Sequence, residues 1–89
     1  MKIITTSIEG ILIIEPKIFK DKRGFFMETY NQHRYNESGI NTKFVQDNLS
    51  YSQKNTLRGL HFQIKHSQAK LIQVISGEIF DVAVDLRPG

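Results

Sequence analysis

Residues 78–86 constrain the fold more than any other stretch of this sequence. Phe80, Val82, Val84 and Leu86 recur at every second position, with Asp81 and Asp85 between them. A period of two puts the apolar set on one face of an extended chain and the carboxylates on the other, as in a half-buried β-strand. Pro88 has no N–H to give a ladder and closes the segment. Upstream, residues 71–75 form another apolar run, joined to 78–86 through Ser76-Gly77. A connection of that length predicts a tight hairpin.

The rest of the chain reads the same way. Residues 11–15 are rich in β-branched side chains, stop at Pro16 and read as a strand. Residues 19–24 are charged and end in glycine, which predicts a loop, and the aromatic-rich 25–30 predicts a strand. Residues 31–38 lack the alternation, are polar and are followed by Gly39, which predicts a short helix. Residues 44–52 alternate again: Val45, Asp47, Leu49 and Tyr51 share one face, and Phe44, Gln46, Asn48 and Ser50 the other. That second face is either solvated or the lining of a polar cavity. Residues 57–63 are a further strand candidate. The expected class is all-β, an antiparallel sandwich or barrel with at most one short helix near 31–38.

The chain has 89 residues, room for one small domain. A domain of this size buries only about 60% of its unfolded surface and often leans on a partner or a cross-link. There is no cysteine, so neither a disulfide nor a thiolate metal site is available, which suits a reducing cytoplasm. Nothing approaches the roughly 20 apolar residues of a membrane span, and Met1-Lys2-Ile3-Ile4 is too short for the apolar core of a signal peptide. The expectation is a cytoplasmic protein with no membrane partner. The net charge of +3 suits a phosphate-bearing ligand. The twelve basic residues are scattered, however, and form no stripe for nucleic acid. A sheet ending on an apolar strand at 78–86 offers an open edge. The expectation is a truncated chain or an intimate oligomer.

The densest chemistry lies in Leu57-Arg58-Gly59-Leu60-His61-Phe62-Gln63, followed by Lys70. An imidazole that titrates near neutrality is a natural general base. A guanidinium and an ammonium nearby can hold phosphate or stabilise a developing enolate oxygen. The plainer reading is that His61 is an ordinary sheet histidine, as His33 and His66 are read to be. Arg58 and His61 differ by three and would fall on opposite faces of a regular strand, so both reach one cavity only if a bulge near Gly59 re-aims one of them. A metal site is the rival, but the position two after His61 is Gln63, a poor partner for a transition metal. The expectation is no metal. The aromatic residues are read as core by default.

Three segments together resemble a known family. They are Phe19-Lys-Asp-Lys-Arg-Gly-Phe-Phe-Met-Glu-Thr-Tyr30, then Phe44-Val-Gln-Asp-Asn-Leu-Ser-Tyr-Ser52, then Leu57 to Gln63 with Lys70-Leu-Ile and the run from Gly77 to Arg87. In order and spacing they are similar to the dTDP-4-dehydrorhamnose 3,5-epimerases. The resemblance implies a jelly-roll cupin, here as the N-terminal part of a single domain over residues 1–89. It implies a homodimer with N-terminal strands exchanged between partners, and epimerisation at C3 and C5 of a 4-keto-6-deoxyhexose carried on dTDP, without metal or cofactor. It implies His61 as the base and Lys70 beside the keto oxygen. Arg58, Gln46 and Asn48 would contact substrate, and Arg23 and Glu28 would serve it across the dimer interface. Two departures follow, the first bearing on the placement of Lys70 and the second giving the expectation that this chain, as a truncated form, is inactive by itself. The stretch from His61 to Lys70 is one residue shorter than the common family spacing. The family's tyrosine acid and the carboxylate partner of its histidine belong to a second half, and Tyr30, Tyr35 and Tyr51 do not match that acid. The alternative expectation is a non-catalytic module that binds a sugar nucleotide or forms a dimer.

Overall fold

The computed structural model describes residues 1–61, 63, 65 and 68–88. Its regular structure comprises two antiparallel hairpins and one short helix. Strands β1 (Lys2–Thr5) and β2 (Leu12–Glu15) form the first hairpin. Its register sets Lys2 opposite Glu15, Ile3 opposite Ile14, Ile4 opposite Ile13 and Thr5 opposite Leu12. Both strands are built on β-branched isoleucines, which fit a pleated, half-buried surface. The connection is held by Thr6, whose hydroxyl lies 3.0 Å from the Ile8 carbonyl and 2.8 Å from the Ile11 carbonyl. Hydroxyl-to-backbone contacts of this kind favour turns. Pro16 ends β2, as the sequence indicates.

Strands β3 (Ile18–Asp21) and β4 (Gly24–Met27) form the second hairpin. Phe19 pairs with Phe26 and Asp21 with Gly24, which leaves Lys22-Arg23 as the connection. The expected loop at 19–24 is therefore shorter than the sequence suggests, because Phe19, Lys20 and Asp21 belong to the ladder. Their charges are tolerated because both faces of this two-stranded ribbon are wet. The Phe19 and Phe26 rings stand 6.5 Å apart, and the Lys17 ammonium lies 5.0 Å from the Phe19 ring centre, a cation–π contact. Gly24 has φ of +147°, a backbone open to glycine and costly to others.

Helix α1 (Gln32–Glu37) falls where the sequence predicts it. Asn31 is its N-cap, in extended backbone, and its Oδ1 accepts the Arg34 N–H at 3.0 Å. Gly39, with φ of +92°, turns the chain out of the helix, and the Ile40 N–H returns to the Tyr35 carbonyl at 2.8 Å. Tyr35, 5% exposed, is the one buried hydrophobic residue among those described. It packs against Tyr30, which in turn packs against Phe44. This aromatic knot is the core.

Among the described residues, those expected as strands at 44–52, 57–63, 71–75 and 78–86 form no ladder, and from residue 40 to 88 the described residues contain neither strand nor helix; Phe62 lies outside them. Gly77 has φ of +81°, so the chain does turn where the hairpin was expected, without pairing. Leu57 is 96% exposed and Phe80 94%. The physical reason is that alternation marks a strand's faces, whereas a ladder needs a neighbour to accept its N–H groups. Isolated pairs are marginal in water unless a third strand or a packed face supports them. One polar clasp returns this segment to the first hairpin: an Arg87 guanidinium N–H donates to the Glu9 carbonyl at 2.7 Å. Asp85 holds the same guanidinium at 2.9 and 3.0 Å.

Candidate functional site

The residues singled out by the sequence fall into separate local arrangements. Arg23 sits on the β3–β4 turn, where Asp21 accepts both its backbone N–H (2.8 Å) and its guanidinium (2.7 Å). These bonds from Arg23 hold the Asp21 carboxyl below the usual carboxylate range. An open concavity at this hairpin is lined by Phe19, Lys20, Asp21, Arg23 and the aromatic pair Phe25-Phe26. It sets the Arg23–Asp21 ion pair and the Lys20 ammonium beside exposed aromatic rings.

Glu28 follows β4 and faces the start of α1. One carboxylate oxygen accepts the Asn31 side-chain amide at 3.0 Å, and the other accepts the Arg34 guanidinium at 2.6 Å. The Gln46 amide donates to the Asn48 side-chain oxygen at 3.1 Å. Arg58 Nε donates to the Ser52 hydroxyl at 3.1 Å. His61 and Lys70 are both exposed, and neither makes a side-chain hydrogen bond or ion pair among the described residues.

Apart from the Gln46–Asn48 bond, no hydrogen bond or ion pair joins two of these seven side chains among the described residues. With no ladder across 57–61, the expected face conflict between Arg58 and His61 has no regular strand to arise on. No group of three His, Asp or Glu side chains that could hold a metal ion occurs among the described residues. His66 lies outside them. No helix among the described residues is long and apolar enough to cross a membrane.

The sequence reading missed the supporting residues Asp21, Asn31 and Arg34. Asp21 was legible in principle, since a carboxylate two residues before an arginine across a tight turn is a recurrent capping pattern. Arg34 was not, because its partner Glu28 lies six residues back and outside the helix.

Among known proteins, residues 5–89 match the family model for dTDP-4-dehydrorhamnose 3,5-epimerase. The chain is 56% identical over 86 residues to the dTDP-4-dehydrorhamnose 3,5-epimerase of Methanothermobacter thermautotrophicus, covering 97% of this chain and 46% of that protein. It is 55% identical over 89 residues to the enzyme of the same name from Salmonella typhimurium, covering 98% and 49%. It is 38% identical over 91 residues to a dTDP-4-dehydrorhamnose 3-epimerase of Streptomyces niveus, covering 100% and 44%. No solved structure matches. The chain belongs to the dTDP-4-dehydrorhamnose 3,5-epimerase family, a family of carbohydrate isomerases. It spans about half the length of the curated relatives it matches.

Proposed function

We propose that this chain contributes the N-terminal part of an epimerase acting on dTDP-4-keto-6-deoxyglucose, in the cytoplasm, within a cupin-like jelly roll. The observation that carries this is the three motifs in series, Phe19 to Tyr30, Phe44 to Ser52 and Leu57 to Arg87, lying inside a family match over residues 5–89. A 4-keto group acidifies the C–H bonds beside it. His61 takes one of those protons, an enolate forms, and a proton returns to the opposite face. Lys70 stabilises the enolate oxygen. Arg58 holds the diphosphate as a charge-assisted donor. Gln46 and Asn48 contact the substrate, and Arg23 and Glu28 reach it from a partner subunit. The partner is a second copy of the chain, exchanging N-terminal strands and covering the exposed apolar residues of 45–86. No metal or cofactor is required.

A second reading is favoured by the aromatic knot. Tyr30 and Tyr35 are committed to the core, and so are not placed to return a proton to a sugar. On this reading the chain binds the sugar nucleotide, or its own partner, without turning substrate over.

The deciding experiment is solvent deuterium exchange into dTDP-4-keto-6-deoxyglucose, read by mass spectrometry, with His61→Ala as control. Exchange that falls by about 10²- to 10⁴-fold in the variant supports the catalytic reading, that being the usual contribution of a general base. No exchange from a folded, unaltered chain that still binds dTDP favours the binding module.

A further inference from the structure

We propose that Arg34 is a positioning residue that fixes the Glu28 carboxylate for the substrate contact already proposed, that contact being the part of this inference that rests on the proposed function. Both carboxylate oxygens of Glu28 are engaged from one side, by Asn31 Nδ2 at 3.0 Å and by an Arg34 guanidinium N–H at 2.6 Å. Asn31 is the helix cap, whose Oδ1 accepts the Arg34 N–H at 3.0 Å. The Arg34 backbone lies in the turn of helix that also carries the buried Tyr35. The Tyr35 hydroxyl donates to the Thr29 carbonyl at 3.1 Å and so pins the backbone next to Glu28. A carboxylate offers about four acceptor positions, and two remain open here. Being acceptor-only when ionised, Glu28 recognises a ligand that brings a proton donor rather than a phosphate oxygen.

The Arg34–Glu28 ion pair is part-exposed, with side chains 62% and 39% accessible. Such a pair adds little to stability. Its consequence is orientation: without the guanidinium, one carboxylate oxygen loses its anchor and the side chain regains its rotamers. No other described side chain donates to Glu28. Arg34 itself does not touch the ligand.

The test uses the chain itself, with Arg34→Met, Arg34→Lys and Glu28→Gln variants. Scalar couplings of the Glu28 β-protons report its side-chain rotamer, and ring-to-ring contacts between Tyr30 and Tyr35 confirm that the core is intact. A single Glu28 rotamer in the unaltered chain, averaged in Arg34→Met and partly restored in Arg34→Lys, is the expected result. An unchanged rotamer in Arg34→Met with the core intact overturns the positioning role. Calorimetry with dTDP-glucose is the second readout. Arg34→Met is expected to weaken binding about tenfold, the scale of one charged hydrogen bond, and to add nothing in the Glu28→Gln background. Equal weakening in both backgrounds shows that Arg34 acts independently of Glu28 and overturns the inference. Failure of the unaltered chain to bind dTDP-glucose, with the Glu28 rotamer still dependent on Arg34, overturns the binding half and the proposed function while the coupling stands.

Discussion

The ring of Tyr30 meets the ring of Tyr35 edge-on, with centroids 4.8 Å apart and planes at 83°. Phe44 also meets the ring of Tyr30 edge-on, at 5.3 Å and 89°. Edge-to-face pairs of this kind add about 0.5–1.5 kcal/mol beyond the area they bury. They tie together three places in the chain: the end of the second hairpin, the helix and the start of the segment after it. The two ends of the knot differ in one respect. The Tyr35 hydroxyl has a partner in the Thr29 carbonyl, whereas the Tyr30 hydroxyl is buried without one among the described residues.

Tyr30→Phe is accordingly expected to stabilise the chain by about 1 kcal/mol, since it removes a desolvated hydroxyl and keeps the ring. Denaturant unfolding followed by aromatic circular dichroism measures this. A loss of stability would mean that the hydroxyl has a partner after all.

Burial, with Tyr30 and Glu28 adding to it, holds the Tyr35 phenol above the usual tyrosine range. The ionised form therefore favours the unfolded chain. Stability from this group is complete below the ordinary tyrosine pKa and is lost as pH rises through the higher folded-state value. Phenolate absorbance against pH should show one late-titrating component, absent in Tyr35→Phe.

Asp21 carries the opposite sign. Its carboxyl is held low by the Arg23 side chain and backbone, so its contribution is present above the ordinary Asp pKa and lost as pH falls through the folded value. The β3–β4 turn should loosen in acid, visible as fading contacts between Phe19 and Phe26 in nuclear magnetic resonance. Asp21→Asn should loosen the turn at neutral pH and flatten that dependence.

Asn31→Ala removes both the cap of α1 and one anchor of Glu28. A cost of about 1 kcal/mol is expected, as for other N-caps. The fall in helical circular dichroism should be largely recovered by Asn31→Asp, which restores the cap acceptor but not the donor to Glu28.

If a second copy covers the exposed apolar residues of 45–86, strand content should rise with protein concentration alongside sedimentation coefficient. Well-behaved monomers with constant circular dichroism across that range would count against the exchanged dimer.

The helix was legible because its determinants are local: Gly39 ends it, and the polar run before it lacks a strand's alternation. Strand β2 was legible for the same reason, from its β-branched run and Pro16. Strand β1 was missed, since Lys2 to Thr5 is only four residues and becomes a strand through its pairing with Leu12 to Glu15. The charged face of β3 read as loop because polarity alone does not distinguish a wet ribbon from a turn. In the candidate site, Gln46 and Asn48 bond each other on a segment that forms no strand, and the motif order alone suffices to place the chain in its family.

The sequence by itself determined the periodicities, the helix stop at Gly39 and the order of the motifs, because each is written within a few neighbouring residues. Only the tertiary structure decided which extended segments found partners and which did not. It alone set Arg34 against Glu28, Tyr30 between Tyr35 and Phe44, and Arg87 against the Glu9 carbonyl. The physical reason is that ladders and packed rings are satisfied across the fold. A residue's neighbours in sequence fix which way it points, but they do not supply what it meets.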